Sequence, residues 1–492
     1  MSSIAHPPTD RRTGPAGRTT AEEAATAVER LAAFAAGLRP AAVPEEVRAV
    51  ARDHLLDGLG IALASSGMDF ARPVLDAATE LGRGEAGHVL GHGTPLPAAS
   101  AALVNGTLIH GLDFDDTHIG AVYHATAPAL AAALAVGEER HADGEDFLAA
   151  YVAGLEVGCR IAGAGAGRFH ARGFHPTGIA GTFAAAATAA RLRGMDGPAA
   201  VSALGICGSQ AAGTLELAGS SLKRLHPGWA AHSGIVAAGL AAAGFAGPPG
   251  VLDGPLGLYA SHLGLAPDRI DLDLDSLGDR WMCADTALKP YPCCHFTHAF
   301  IDAALALRAE LGGTAVRPED VVEIVCPTSP GVMPAVTEPA ARKQRPRTLY
   351  EAQFSVQYVV ARALTAGRID LATFYDEPLD DPDVLALAAR TVCPPDPDSD
   401  YPARFPGEVI LRLTDGREVR RRVETSSGTP GNTLTSDEVD AKFRANAGRV
   451  LAEDRVTAVA RTVRDVEHLA DVREMVGLCR WSQEDVPPRD GK

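Results

Sequence analysis

Lysine is scarce in this chain: only Lys223, Lys289, Lys343, Lys442 and Lys492 break an otherwise all-arginine complement of 45 basic residues. Basic residues are also outnumbered, and a formal charge of −17 leaves no basic face for nucleic acid or an anionic membrane. Aromatic residues are 5% of the chain, too few to wall a carbocation in the manner of an isoprenoid cyclase. No C-x-x-C spacing occurs among the eight cysteines, and a chain of 492 residues needs no disulfide staples, so reduced thiols in a cytoplasmic protein are expected. The first twenty residues lack an apolar core, which argues against a signal peptide or anchor, and 1–19 reads as a disordered tail. The longest stretch without fixed charge, 225–252, is mostly Ala and Gly and suits a buried helix better than a membrane span.

What is present is helical periodicity, interrupted once. From Thr20, which with Glu23 forms a capping-box pattern, to 282 the chain is rich in Ala, Leu and Gly at helical spacing. Between 285 and 435 the texture changes: VVEIVCP reads as a strand, and EVILRLTDGREVRRRVE as a hairpin turning at Asp415-Gly416. Helices predicted at 295–311 and 353–366 flank these strands and make an α+β unit. Residues 436–482 become helical and amphipathic again, so they are expected to return to the first unit. The fold class is mainly α, with a large helical domain built from both ends of the chain around an inserted α+β domain.

The richest chemistry lies in 109–128, IHGLDFDDTHIGAVYHATAP, where three aspartates and three histidines sit between two helical patterns. There carboxylates can meet helix N–H groups and a cavity at once. D-x-D-D-T-H matches no metal-ligand spacing, so no metal is expected. Lysines kept at SLKRLHPG and ALKPYPCC suggest a compact ammonium able to grip a carboxylate as a point charge. His175 precedes Pro176 at a helix start, where anions are favoured, and His226 repeats the His-Pro pair. Cys293 and Cys294 invite a nucleophile reading, but His295 is expected on the opposite side of an extended segment from Cys294.

Six motifs in order, HGLDFDDTH, RGFHPTGIAGTFAAA, SLKRLHPGWAAHSG, ALKPYPCCHFTHAFIDA, EAQFSVQYVVARAL and DAKFRANA, resemble the MmgE/PrpD family. That family spans 2-methylcitrate dehydratase, cis-aconitate decarboxylase and an iminodisuccinate epimerase. The resemblance implies a homodimer, a lid formed by the inserted domain, and catalysis without metal or organic cofactor in a pocket between the domains. It carries Asp113, Thr117 and His124 onto active-site positions, Lys223 and Lys289 onto substrate-carboxylate contacts, and Tyr358 onto a pocket tyrosine. In the decarboxylase pattern Asp113 and His124 lie one residue closer, and a histidine stands at Cys294.

The resulting expectation is a lyase acting on a small di- or tricarboxylate. Asp113, His124, His175 and Tyr358 are the catalytic candidates; Thr117, Lys223, Lys289 and His226 are the binding candidates. Abstracting a proton α to a carboxylate makes an aci-carboxylate, which nearby cations stabilise more than the ground state. Loss of water then gives a dehydratase of the 2-methylcitrate kind, the leading expectation because of Cys294. Loss of a carboxylate gives a decarboxylase, reprotonation an epimerase, and absence of turnover a carboxylate-binding protein.

Overall fold

The computed structural model describes residues 25–217 and 220–480. Mainly α, it carries 21 α-helices and eight short strands among those residues. The expected Thr20–Glu23 cap lies outside them; the first helix described, Ala27–Gly37, starts from a capping box of Thr26 with Glu29.

Two large hydrophobic clusters divide the interior. The first gathers the helices Glu45–Ser66, Ala98–His110, Thr126–Arg140, Gly144–Ala164, Pro176–Leu192 and Leu222–Ala242. Its small residues let axes approach closely: a Cβ on Gly106 would stand 2.7 Å from Gly228 Cα, so two helix backbones nearly touch there. Gly144–Ala164 is long and apolar enough to cross a membrane, but 89% of its apolar window is buried in this core.

The second cluster begins at Cys293 and includes the predicted strands. Its four-stranded sheet runs Thr391–Val392, Val321–Val325, Gly407–Leu413, Glu418–Val423, with the first pair parallel and the others antiparallel. Gly416 turns the hairpin at φ 89°. His298–Glu310 and Val356–Ala366 belong to this cluster. The helix predicted over 353–366 is two helices, Leu349–Gln353 and Val356–Ala366, because Ser355 leaves helical geometry and its hydroxyl caps the second by accepting from Tyr358 N at 3.0 Å.

The chain passes between the clusters on a paired segment. Thr286–Ala287 pairs with Thr117–His118, and Leu288 N donates to Gly428 O at 2.9 Å on the return. Lys289 therefore sits where the two units meet. After the sheet, Ser436–Ala447 packs on Glu45–Ser66. Its Phe443 lies on Gly60, and Lys442 reaches Asp57 at 2.7 Å and the Phe114 carbonyl at 2.9 Å.

Candidate active site

The loop from Gly111 to Ala125 joins Ala98–His110 to Thr126–Arg140, and its three aspartates do three different things. Asp116 is structural: it accepts from Thr126 N and Oγ1 at 3.1 and 2.6 Å and bonds His54 Nδ1 at 2.8 Å. Asp115 holds His110, with Nδ1 at 2.8 Å. Only Asp113 faces the cavity. Its φ of 54° is a left-handed conformation that Asp tolerates better than most residues, and Val122 at 51° is a greater strain in the same loop.

That cavity has a volume of about 450 Å³, a size suited to a small organic acid. Asp113, Thr117, His124, His175, Lys223 and Lys289 all line it. Lys223 and Lys289 both donate to Asp113 Oδ1, at 2.8 and 2.9 Å, and Lys289 also donates to the Asp113 carbonyl at 2.8 Å. Burial pushes the Asp113 carboxyl up, but the two ammonium groups reverse this and hold it well below the usual range. Its Oδ2 has no hydrogen-bond partner among the described residues.

His124 donates Nδ1–H to the Asp116 carbonyl at 2.7 Å, which leaves Nε2 as the basic nitrogen. Burial, then His110 and the two lysines, push its pKa well down, so the ring is neutral. His175 occupies the N-cap position of the helix Pro176–Leu192 without a side-chain capping bond, and its Nδ1 lies 2.9 Å from His226 Nδ1. Burial followed by Lys223 lowers His175, and burial followed by His110 lowers His226 to about 4. His226 is thus behind His175 rather than among the residues lining the cavity.

Two further sequence expectations need correction. Tyr358 does not line the cavity: it is fully buried in the second cluster, and its hydroxyl has no hydrogen-bond partner among the described residues. Ser355 starts a new helix there and turns Tyr358 inward, while Tyr350, on the preceding short helix, lines the cavity instead. His295 and Cys294 were expected on opposite sides, yet both line the cavity because a 3₁₀ turn over His295–Thr297 replaces the extended segment. Burial lowers His295 to about 3 and raises the Cys294 thiol to about 11, which makes that thiol a poor nucleophile.

The fold also gathers groups that the sequence kept apart. His110, His124 and His175 each offer a ring nitrogen within 4.8 Å of the others, and the ring nitrogens of His110 and His124 lie equally close to carboxylate oxygens of Asp113 and Asp115. These are metal-ligating types that no sequence spacing revealed. Against a cation in the second set, Asp113 Oδ1 is already held by two ammonium groups. His110, His295, Tyr350 and Lys343 are cavity or near-cavity residues that sequence reasoning passed over. The His110/Asp115 spacing and the rarity of lysine were the available signals.

Comparison with known proteins places the chain in a family. Residues 29–270 match the MmgE/PrpD N-terminal domain and residues 291–468 the MmgE/PrpD C-terminal domain. The chain is 28% identical over 485 residues to the cis-aconitate decarboxylase-like protein of Aspergillus oryzae, covering 94% of this chain and 98% of that one. It is 31% identical over 395 residues to cis-aconitate decarboxylase of Homo sapiens, covering 78% and 80%, and 30% identical over 438 residues to that of Mus musculus, covering 87% and 88%. With both domains matched in order and the polar residues converged on one cavity, this chain belongs to the MmgE/PrpD family and is an enzyme of the lyase class.

Proposed function

We propose that this chain decarboxylates a small unsaturated tricarboxylate of the cis-aconitate kind, without metal or organic cofactor, with the 285–435 unit acting as a lid. The observation that carries the reading is Asp113 clamped by Lys223 and Lys289 beside His124 and His175 in one cavity. In such an acid the departing carboxylate is attached to the carbon next to the double bond. As that carbon–carbon bond breaks, its electron pair shifts through the alkene onto the conjugated carboxylate. Carbon dioxide leaves, and one proton is taken up at the carbon beside the carboxylate, giving a terminal methylene. The extra charge on the aci-carboxylate is where two ammonium groups act most strongly.

The proton comes from an imidazole. Burial and the nearby cations keep His124 and His175 neutral, and the entry of three carboxylates reverses the local charge and favours imidazolium. Binding therefore takes up a proton, visible as a calorimetric heat that depends on buffer ionisation. Cys294 counts less against this chemistry than the sequence suggested, since His295 lines the same cavity.

A hydro-lyase of the 2-methylcitrate kind is the second reading, favoured by the neutral His124 with Nε2 ready to abstract a proton. Turnover of cis-aconitate and 2-methylcitrate by the purified chain, followed by absorbance of the unsaturated acid, separates the two. Activity in EDTA equal to that without it is expected; loss in EDTA restored by one divalent ion overturns the metal-free part of the proposal.

The same proposal includes a cytoplasmic homodimer. All eight cysteines are free thiols, in keeping with a reducing compartment. Leu222, Trp229 and Leu240 are 38–45% exposed along one stripe of Leu222–Ala242, a face suited to a second copy.

A further inference from the structure

Lys343 is the buried lysine that the chemistry above leaves unused. It belongs to the short helix Ala340–Gln344, is 9% exposed and lines the same cavity. Its Nζ donates to the carbonyls of Ala335 and Phe354 at 2.5 and 2.6 Å, and the Lys343 carbonyl accepts from Ser355 Oγ at 2.6 Å. Those contacts fix the ammonium but do not neutralise it. The other described lysines all meet a carboxylate: Lys223 and Lys289 meet Asp113, and Lys442 meets Asp57. Lys343 has no carboxylate within ion-pair distance among the described residues, and the adjacent Arg342 is bonded to Glu351.

A buried ammonium held only by neutral dipoles carries a desolvation penalty that an incoming anion relieves. Burial accordingly pulls its pKa down. Phe354 links this cation to Lys223, since its carbonyl accepts from Lys343 while Lys223 Nζ stands 5.4 Å from its ring centroid.

We infer that Lys343 is the third lysine of this cavity and receives a carboxylate of the substrate, so that it distinguishes a tricarboxylate from a dicarboxylate. This rests on the polycarboxylate reading of the cavity. A lysine that serves only to tie Ala335 to Phe354 would affect both kinds of acid alike.

The test is calorimetric titration of the full chain with propane-1,2,3-tricarboxylate and with glutarate, which has the same chain but lacks the third carboxylate. The wild type is expected to bind the triacid more tightly. In K343M, triacid affinity should fall about ten- to a hundredfold, the worth of a charge-assisted hydrogen bond. Glutarate affinity should stay within about twofold, which also shows that the variant is folded. If K343M does not fold, K343Q, which keeps a donor and removes the charge, is measured instead with the same expectation. An unchanged triacid affinity, or an equal loss for both acids, overturns the assignment of Lys343 alone. A wild type that binds neither acid overturns the polycarboxylate reading itself and this inference with it.

Discussion

Asp113 illustrates what a single residue can and cannot reveal before the chain folds. That the acidic loop would bring an acid to a cavity was legible from its composition, and Lys223 and Lys289 stood out because lysine is rare. The division of work among Asp113, Asp115 and Asp116 was not, because it depends on partners brought by other elements: His54 from one helix, Thr126 from the next, and two lysines from 110 and 176 residues away. Tyr358 failed for a local reason, since Ser355 begins a new helix and directs it into the core. From these contacts, Lys223→Ala should weaken binding and also lower kcat, because its charge holds the substrate in the ground state and the aci-carboxylate more strongly. His124→Ala should chiefly lower kcat, by about a hundred- to ten-thousandfold, the usual worth of a positioned acid or base. Steady-state kinetics of both variants check this; a raised KM with unchanged kcat in His124→Ala contradicts the role given to it.

At the scale of elements, the hairpin at Asp415-Gly416 and the return to helix near 436 were readable, since turn chemistry and long periodicity are local signals. Thr391–Val392 was not, because two residues show no alternation. Nor did the sequence show which helices touch. The crossing of Ala98–His110 with Leu222–Ala242 brings Lys223 and His226 to His110 and Asp113, and it depends on Gly228. A Cβ there would stand 2.1 Å from Leu103 O and 2.4 Å from Thr107 Oγ1. Gly228→Ala should therefore cost about 1–3 kcal/mol by overpacking and also weaken carboxylate binding. Gly239→Ala on the same helix has only Arg193 Nη1 at 3.7 Å and should stabilise slightly, through helix propensity. Thermal unfolding and calorimetric titration of both variants measure the contrast; equal behaviour contradicts the close crossing as the device that sets the site.

Across the whole molecule, the cost of burying so many imidazoles should appear as acid sensitivity. Burial pushes His118, His124, His175, His226, His295 and His298 below their ordinary value of 6.5 in the folded chain. As pH falls below 6.5 the unfolded chain takes up protons that the folded chain refuses, so stability drops, by about 1.4 kcal/mol for each pH unit of each shift. Asp57, raised to about 6 by burial, works the other way between 6 and 3.8, as do Glu138 and Asp302, also raised by burial, but these are three groups against six. The midpoint of thermal unfolding should thus fall between pH 6.5 and 5, and a flat profile contradicts this. The central claim, that one cavity stabilises an aci-carboxylate and returns a proton to carbon, is tested most directly by incubating cis-aconitate with the purified chain in D₂O and following it by proton NMR. The account predicts loss of one carbon dioxide, one deuteron fixed beside a carboxylate, and neither event with His124→Ala; wild-type conversion without deuterium at that carbon, or full activity in His124→Ala, would contradict it.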